Sequence, residues 1–171
     1  MAPLRPHELA AALLTMSFLR TVIGMVPASI VAILLYEYSI YDLGLPLIAF
    51  FVNLLVMGWA FGLAVCGLLF RFGLGAESIA WFAIFAMAPI SGIYYPISVL
   101  PEPVQYIAWA LPPAYVFEGM RAVMFDHVFR TDLFFPAVAL NALYLAIGAA
   151  MFLYAFRIAR RRGLILQSGA E

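Results

Sequence analysis

Lysine is absent from this 171-residue chain; all nine basic residues are arginines. Chemistry that needs a lysine is excluded with it: the GxxxxGK[ST] phosphate loop, a Schiff base, a pyridoxal phosphate site. The chain cannot by itself hydrolyse ATP in the P-loop manner. Cysteine occurs once, at Cys66, so an intrachain disulfide and a thiolate metal cluster are both ruled out. Histidine occurs twice, at His7 and His127, in segments assigned below to opposite sides of a membrane, and no two-histidine metal site is expected. Charge is scarce at 11%, where a soluble domain carries roughly a quarter. The net charge is zero, so there is no basic field for nucleic acid. The opening Met1-Ala2-Pro3-Leu4-Arg5-Pro6-His7-Glu8 lacks the basic-then-apolar layout of a signal peptide, and none is expected.

What is abundant is apolar side chain, 67% of residues. So few polar groups cannot build a water-facing surface, and the expected solvent is lipid. A crossing helix needs about 20 mostly apolar residues for a core of about 30 Å. Lipid offers the backbone no partners, so each crossing should be helical. The predicted fold is all-α: one transmembrane domain over residues 1–171, a bundle of four spans at 21–36, 46–70, 79–97 and 133–156. Residues 1–20 are predicted as a cytoplasmic interfacial segment and 157–171 as a cytoplasmic tail. The apolar stretch 9–36 is long for one upright crossing and holds Arg20. It reads equally as an interfacial helix followed by a short span, or as one tilted helix with Arg20 snorkelling.

Orientation follows from arginine. Arg5, Arg20, Arg71, Arg157, Arg160, Arg161 and Arg162 fall on one side, Arg121 and Arg130 on the other. The positive-inside rule makes the first side cytoplasmic and puts both termini there. Tyr36, Tyr38, Tyr41, Tyr94 and Tyr95 then mark the outer boundary and Trp81 the inner one. Gly58 and Gly62, and Ala142, Ala146 and Ala150, form small-residue faces that suit close helix packing, read first as packing within the chain. Asn53 and Asn141 each read as making an interhelical hydrogen bond rather than binding substrate, and Pro27 and Pro89 read as kinks.

Residues 88–132 are too apolar for an external loop and too rich in proline to span. Two short helices fit, 102–111 and 114–127, with Pro112-Pro113 at the break. Neither is long enough to cross, so 101–127 is predicted to be a re-entrant hairpin in the outer leaflet. Glu118 and Arg121, three apart, can pair on one helix face, as a structural bridge or at the mouth of a transport path. They are expected to face the polar side.

This segment carries a resemblance. Ser91-Gly92-Ile93-Tyr94-Tyr95-Pro96, then Leu100-Pro101, then Pro112-Pro113-Ala114-Tyr115 through Glu118 and Arg121, is similar in order and spacing to the ABC-2 type transporter permeases. Pro112 stands where that family usually has Asn. The opening from Pro3 to Leu9 resembles the family's cytoplasmic coupling segment. The resemblance covers the last four of the usual six spans. It implies the membrane subunit of an ATP-binding cassette exporter, forming the substrate path. The partners it implies are a separate ABC ATPase carrying the ATP and Mg²⁺, and a second permease subunit; the implied location is a cell membrane, the bacterial inner membrane. No cofactor is implied in this chain, and no catalytic or metal-binding residue. Arg5, Pro6, His7 and Glu8 become ATPase-coupling candidates. Ser91, Gly92, Tyr94, Tyr95, Pro96, Pro112, Pro113, Tyr115, Glu118 and Arg121 become candidates for the hairpin and pathway. Two other classes compete with this one: a non-transport accessory protein or inactive permease fragment, and an intramembrane enzyme. The enzyme needs acids, histidine or an activated serine clustered at one depth, and the acids here are scattered over the outer face.

Overall fold

Glycine and proline punctuate this chain into six α-helices among its described residues. The computed structural model describes residues 6–36, 44–73 and 75–161. The helices are α1 (Pro6–Tyr36), α2 (Gly44–Phe72), α3 (Ala76–Ile90), α4 (Glu102–Trp109), α5 (Pro112–Asp126) and α6 (Thr131–Arg161). A 3₁₀ turn, Ile97–Val99, lies between α3 and α4. No strand occurs among the described residues. Arg5, Glu37, Tyr38, Tyr41, Asp42 and the tail from Arg162 lie outside them.

Three helices, α1, α2 and α6, have the length and apolarity to cross a membrane. At 1.5 Å per residue each is over about 40 Å long. α1 is continuous through Arg20, without a break between an interfacial segment and a span. Its N-terminal turns pack Leu9, Ala10 and Leu14 against Leu63, Phe152 and Phe156. α2 starts at Gly44 and ends where Gly73 turns left-handed at φ 73°, its N–H bonded to Leu69 O at 2.9 Å.

The expected third helix, 79–97, needs correction. α3 has 15 residues, about 22 Å, and stops at Ile90. Ser91 closes it, with both N–H and Oγ bonded to Met87 O, at 2.9 and 2.7 Å. Gly92 then turns left-handed at φ 71°. The apolar run continues to Ile97, but the helical backbone does not.

The core is the α2–α6 pair. Phe50 meets Phe134, Asn53 meets Asn141, and Phe70 meets Phe152 and Phe156. The numbers rise together on both helices, so α2 and α6 run parallel. The chain between them must therefore return to the end where α2 began, and α3 begins that return. Gly148 and Gly67 make the close approach possible. A methyl at Gly148 would overlap Ala60 O, and one at Gly67 would lie 3.1 Å from the Met151 carbonyl.

Two small-residue readings are corrected by this geometry. Gly58 and Gly62 are exposed, and a methyl at either would meet nothing within 4 Å; Ala142, Ala146 and Ala150 are exposed too. The parallel register selects the other face of each helix. The interhelical bonds expected of Asn53 and Asn141 are made to each other: both residues are buried, and Asn141 Nδ2 donates to Asn53 O and Oδ1, each at 2.9 Å.

Candidate functional site: a two-helix hairpin tied to the end of α3

α4 and α5 form a helical hairpin whose break is set by proline chemistry. Leu111, before Pro112, is extended at φ −102°, ψ 129°, because the following ring disfavours the α region there. Pro112 and Pro113 then occupy the first positions of α5, where a missing N–H leaves no helical bond unmade. The sequence pattern puts these prolines in the turn; they begin the second helix instead, and the turn is Ala110-Leu111. Both prolines are buried. α4 begins after Pro101, whose carbonyl accepts from Val104 and Gln105 N–H at 2.9 and 3.1 Å. α5 ends at His127, left-handed at φ 54°.

α5 packs hardest where its sequence is smallest. Phe50, fully buried, lies against Gly119, and a methyl at 119 would overlap its ring. Val116, Val123 and Ala137 complete this cluster. Tyr115 is half-buried in an edge-on contact with Trp109, ring centres 4.9 Å apart. From α6, the Tyr144 hydroxyl donates to Ala110 O at 3.2 Å, at the hairpin turn.

The linker from α3 to the hairpin is short and irregular, and two side chains of α5 hold it. Arg121 Nη2 donates to Gly92 O at 2.7 Å. Ile97 N–H donates to Glu118 Oε1 at 2.7 Å. Arg121 Nη1 stands 3.1 Å from the same Oε1, an ion-pair contact at an angle that makes no hydrogen bond. The two side chains are only 22% and 21% exposed, and Ser91 and Ile97 are 1% exposed. The pair, expected to face the polar side, is partly exposed and lies against the linker backbone. Gly92 is fixed twice over: its φ is positive, and a methyl there would sit 3.0 Å from Ile97 Cγ1.

Of the predicted pathway residues, this arrangement brings Ser91, Gly92, Glu118 and Arg121 into one cluster. Pro113 joins Ser91 along a groove of about 440 Å³ between α2, α3 and α5, lined by Met57, Ile84, Met87 and Phe117 among others. Tyr94 and Pro96 are exposed and Tyr95 half-buried. The coupling candidates are elsewhere. Pro6 opens α1, and His7 and Glu8 are exposed beside the Leu9–Phe152 cluster, at the opposite end of α2 from Phe50. Phe50 and Leu63 are 13 positions apart, about 20 Å along the helix. Arg5 lies outside the described residues.

Sequence reasoning missed Ile97, Phe50, Gly119 and Tyr144. Ile97 contributes a backbone N–H, which no side-chain pattern signals. Gly119 inside an otherwise helical stretch was the available sign of a close approach. Among the described residues no group of three His, Cys, Asp or Glu side chains could hold a metal ion. The chain matches no protein-family model, no curated protein and no solved structure.

Proposed function

We propose that the chain is the membrane subunit of an ABC-2 type exporter, a permease that provides the substrate path and leaves ATP hydrolysis to a separate subunit. The observation that carries this reading is the order of elements around the hairpin. A short apolar helix ends in Ser91-Gly92, two short helices follow, and the second presents Tyr115, Glu118 and Arg121 before a long final helix. That order is the one the resemblance implies.

Membrane geometry supports a fourth crossing and a re-entrant hairpin. α2 and α6 are parallel, so in a bilayer the segment between them has to cross back. α3 covers about 22 Å of a core of about 30 Å. The missing 8 Å or so is made up if the hairpin sits below the outer hydrocarbon boundary. Tyr94, Val99, Tyr106, Ile107 and Phe125, all exposed, suit contact with lipid at that depth. Arginine placement supports a cytoplasmic position for both termini, and the family resemblance suggests a bacterial inner membrane. The base of α1, near Pro6, His7 and Glu8, would meet the ATPase there, and a second permease would complete the path.

The experiment is co-purification. An affinity-tagged chain extracted from its native membranes in mild detergent is expected to bring down a P-loop ATPase in a fixed ratio, as read by mass spectrometry. Glu8→Lys should weaken that association while leaving the amount of inserted chain unchanged. Recovery of the chain with no ATPase, under conditions where the helical fold is retained, contradicts the reading.

A further inference from the structure

An irregular segment at membrane depth has a solvation problem. In hydrocarbon a peptide N–H or C=O outside a helix has no water to bond, and such backbone persists only where protein supplies the partners. The linker 91–97 is such a segment: it leaves the helix at Ser91, turns left-handed at Gly92 and re-enters a 3₁₀ turn at Ile97. Two of its groups that no linker backbone partner satisfies are Gly92 C=O and Ile97 N–H. The first takes its proton from Arg121 and the second gives its proton to Glu118.

We propose that Glu118 and Arg121 serve as a strap, one acceptor and one donor, that satisfies two of the linker's backbone groups and fastens α3 to the hairpin. Their mutual contact orients them but is not what holds. Arg121 Nη1 approaches Glu118 Oε1 without hydrogen-bond alignment, whereas both backbone contacts are short at 2.7 Å. Polarity at each position is therefore fixed. Position 118 needs an acceptor, because its partner is an N–H; position 121 needs a donor, because its partner is a carbonyl. α5 is anchored in turn by Phe50 against Gly119, so the strap transmits any displacement of α3 directly to the hairpin. The placement at membrane depth, and the mechanical role, rest on the permease reading above; the polarity of the strap does not.

The test is hydrogen–deuterium exchange by mass spectrometry on the full chain in lipid nanodiscs, following peptides that cover 91–100, with peptides from α2 and α6 as folding controls. Glu118→Ala and Arg121→Met should each speed exchange of the 91–100 region about tenfold, the ratio for losing one hydrogen bond to a charged group, while the controls stay protected. Glu118→Gln keeps an oxygen that accepts from Ile97 N–H and should stay within about threefold of the parent, as expected for trading a charged for a neutral acceptor. The exchanged pair, Glu118→Arg with Arg121→Glu, restores opposite charges but places a donor opposite a donor and an acceptor opposite an acceptor. It should not restore protection. Full protection in the exchanged pair, or unchanged exchange in both single variants, overturns the strap. If the alanine variant does not insert, the contrast between Glu118→Gln and the exchanged pair carries the same decision. None of these readouts involves an ATPase, so a failure of the strap and a failure of the permease reading are separate results.

Discussion

α1 and α5 make an instructive pair. α1 has 31 residues and α5 has 15. Yet the most apolar window of α1 is 6% buried, whereas seven residues of α5 are buried. Apolarity does not separate them in the expected direction, since α1 is the more apolar of the two and the less packed. In lipid, a greasy face is at home on the outside, and burial is selected by shape and by polar groups that need partners. α5 has both: Gly119 for shape, and Glu118 and Arg121 for polarity. α1 meets the Leu63–Phe152 cluster through Leu9, Ala10 and Leu14 in its first turns, and farther along only Ser29 is buried among its described residues.

The same substitution made in both helices breaks or sharpens that contrast. Gly119→Leu drives a branched side chain into the Phe50 ring and should destabilise the fold by about 3 kcal/mol or more, the upper range of overpacking. At Gly24 in α1, which is exposed, an added Cβ meets nothing within 4 Å, and Gly24→Leu should change stability by no more than about 0.5 kcal/mol. Unfolding titrations in mixed detergent micelles measure both. Equal effects would mean that α1 is packed as tightly as α5.

A smaller effect is expected at the linker. Gly92→Ala places a side chain at φ 71° and 3.0 Å from Ile97 Cγ1, and should cost about 1–2 kcal/mol from the left-handed backbone alone. Gly62→Ala, in open space on α2, should be neutral or slightly favourable through helix propensity. The melting temperatures of the two variants in detergent give the comparison directly.

Most of the long helices are legible in the sequence, because a run of about 20 apolar residues has few alternatives in lipid. The hairpin is legible for a different reason: Pro101, Pro112 and Pro113 fix where helices can start. Two things are not. The end of α3 falls seven residues before the apolar run suggests, because Ile93, Tyr94, Tyr95 and Ile97 continue that run after Gly92 has already turned the backbone. The packing faces are also hidden. Gly58 and Gly62 carry the familiar small-residue spacing, but which face of α2 meets α6 depends on the parallel register of the pair. That register is set over the whole length of both helices, from Phe50 and Phe134 to Phe70 and Phe156. At the candidate site the residue types at 91, 92, 118 and 121 are all legible. Their contacts are not, because two of the partners are peptide groups.

The smallest effects concern single hydrogen bonds between helices. Asn141→Leu removes the bonds to Asn53 and should cost about 1 kcal/mol, in the range measured for such bonds in membrane proteins. Adding Asn53→Leu should cost little more, because the two act as one pair. Tyr144→Phe removes the exposed bond to Ala110 O and should cost about 0.5 kcal/mol. Each is read by the same unfolding titration.

The central proposal is architectural: the parallel helices α2 and α6 would cross the membrane in the same direction, with the hairpin toward one face and the arginine-rich ends toward the other. Single cysteines at Arg130, between α5 and α6, and at Arg160 near the end of α6, both exposed, test it in a Cys66→Ala background. With a membrane-impermeant maleimide on intact cells, Arg130→Cys should label directly, and Arg160→Cys only after the membrane is opened. Labelling of both from the same side of intact cells would contradict the account.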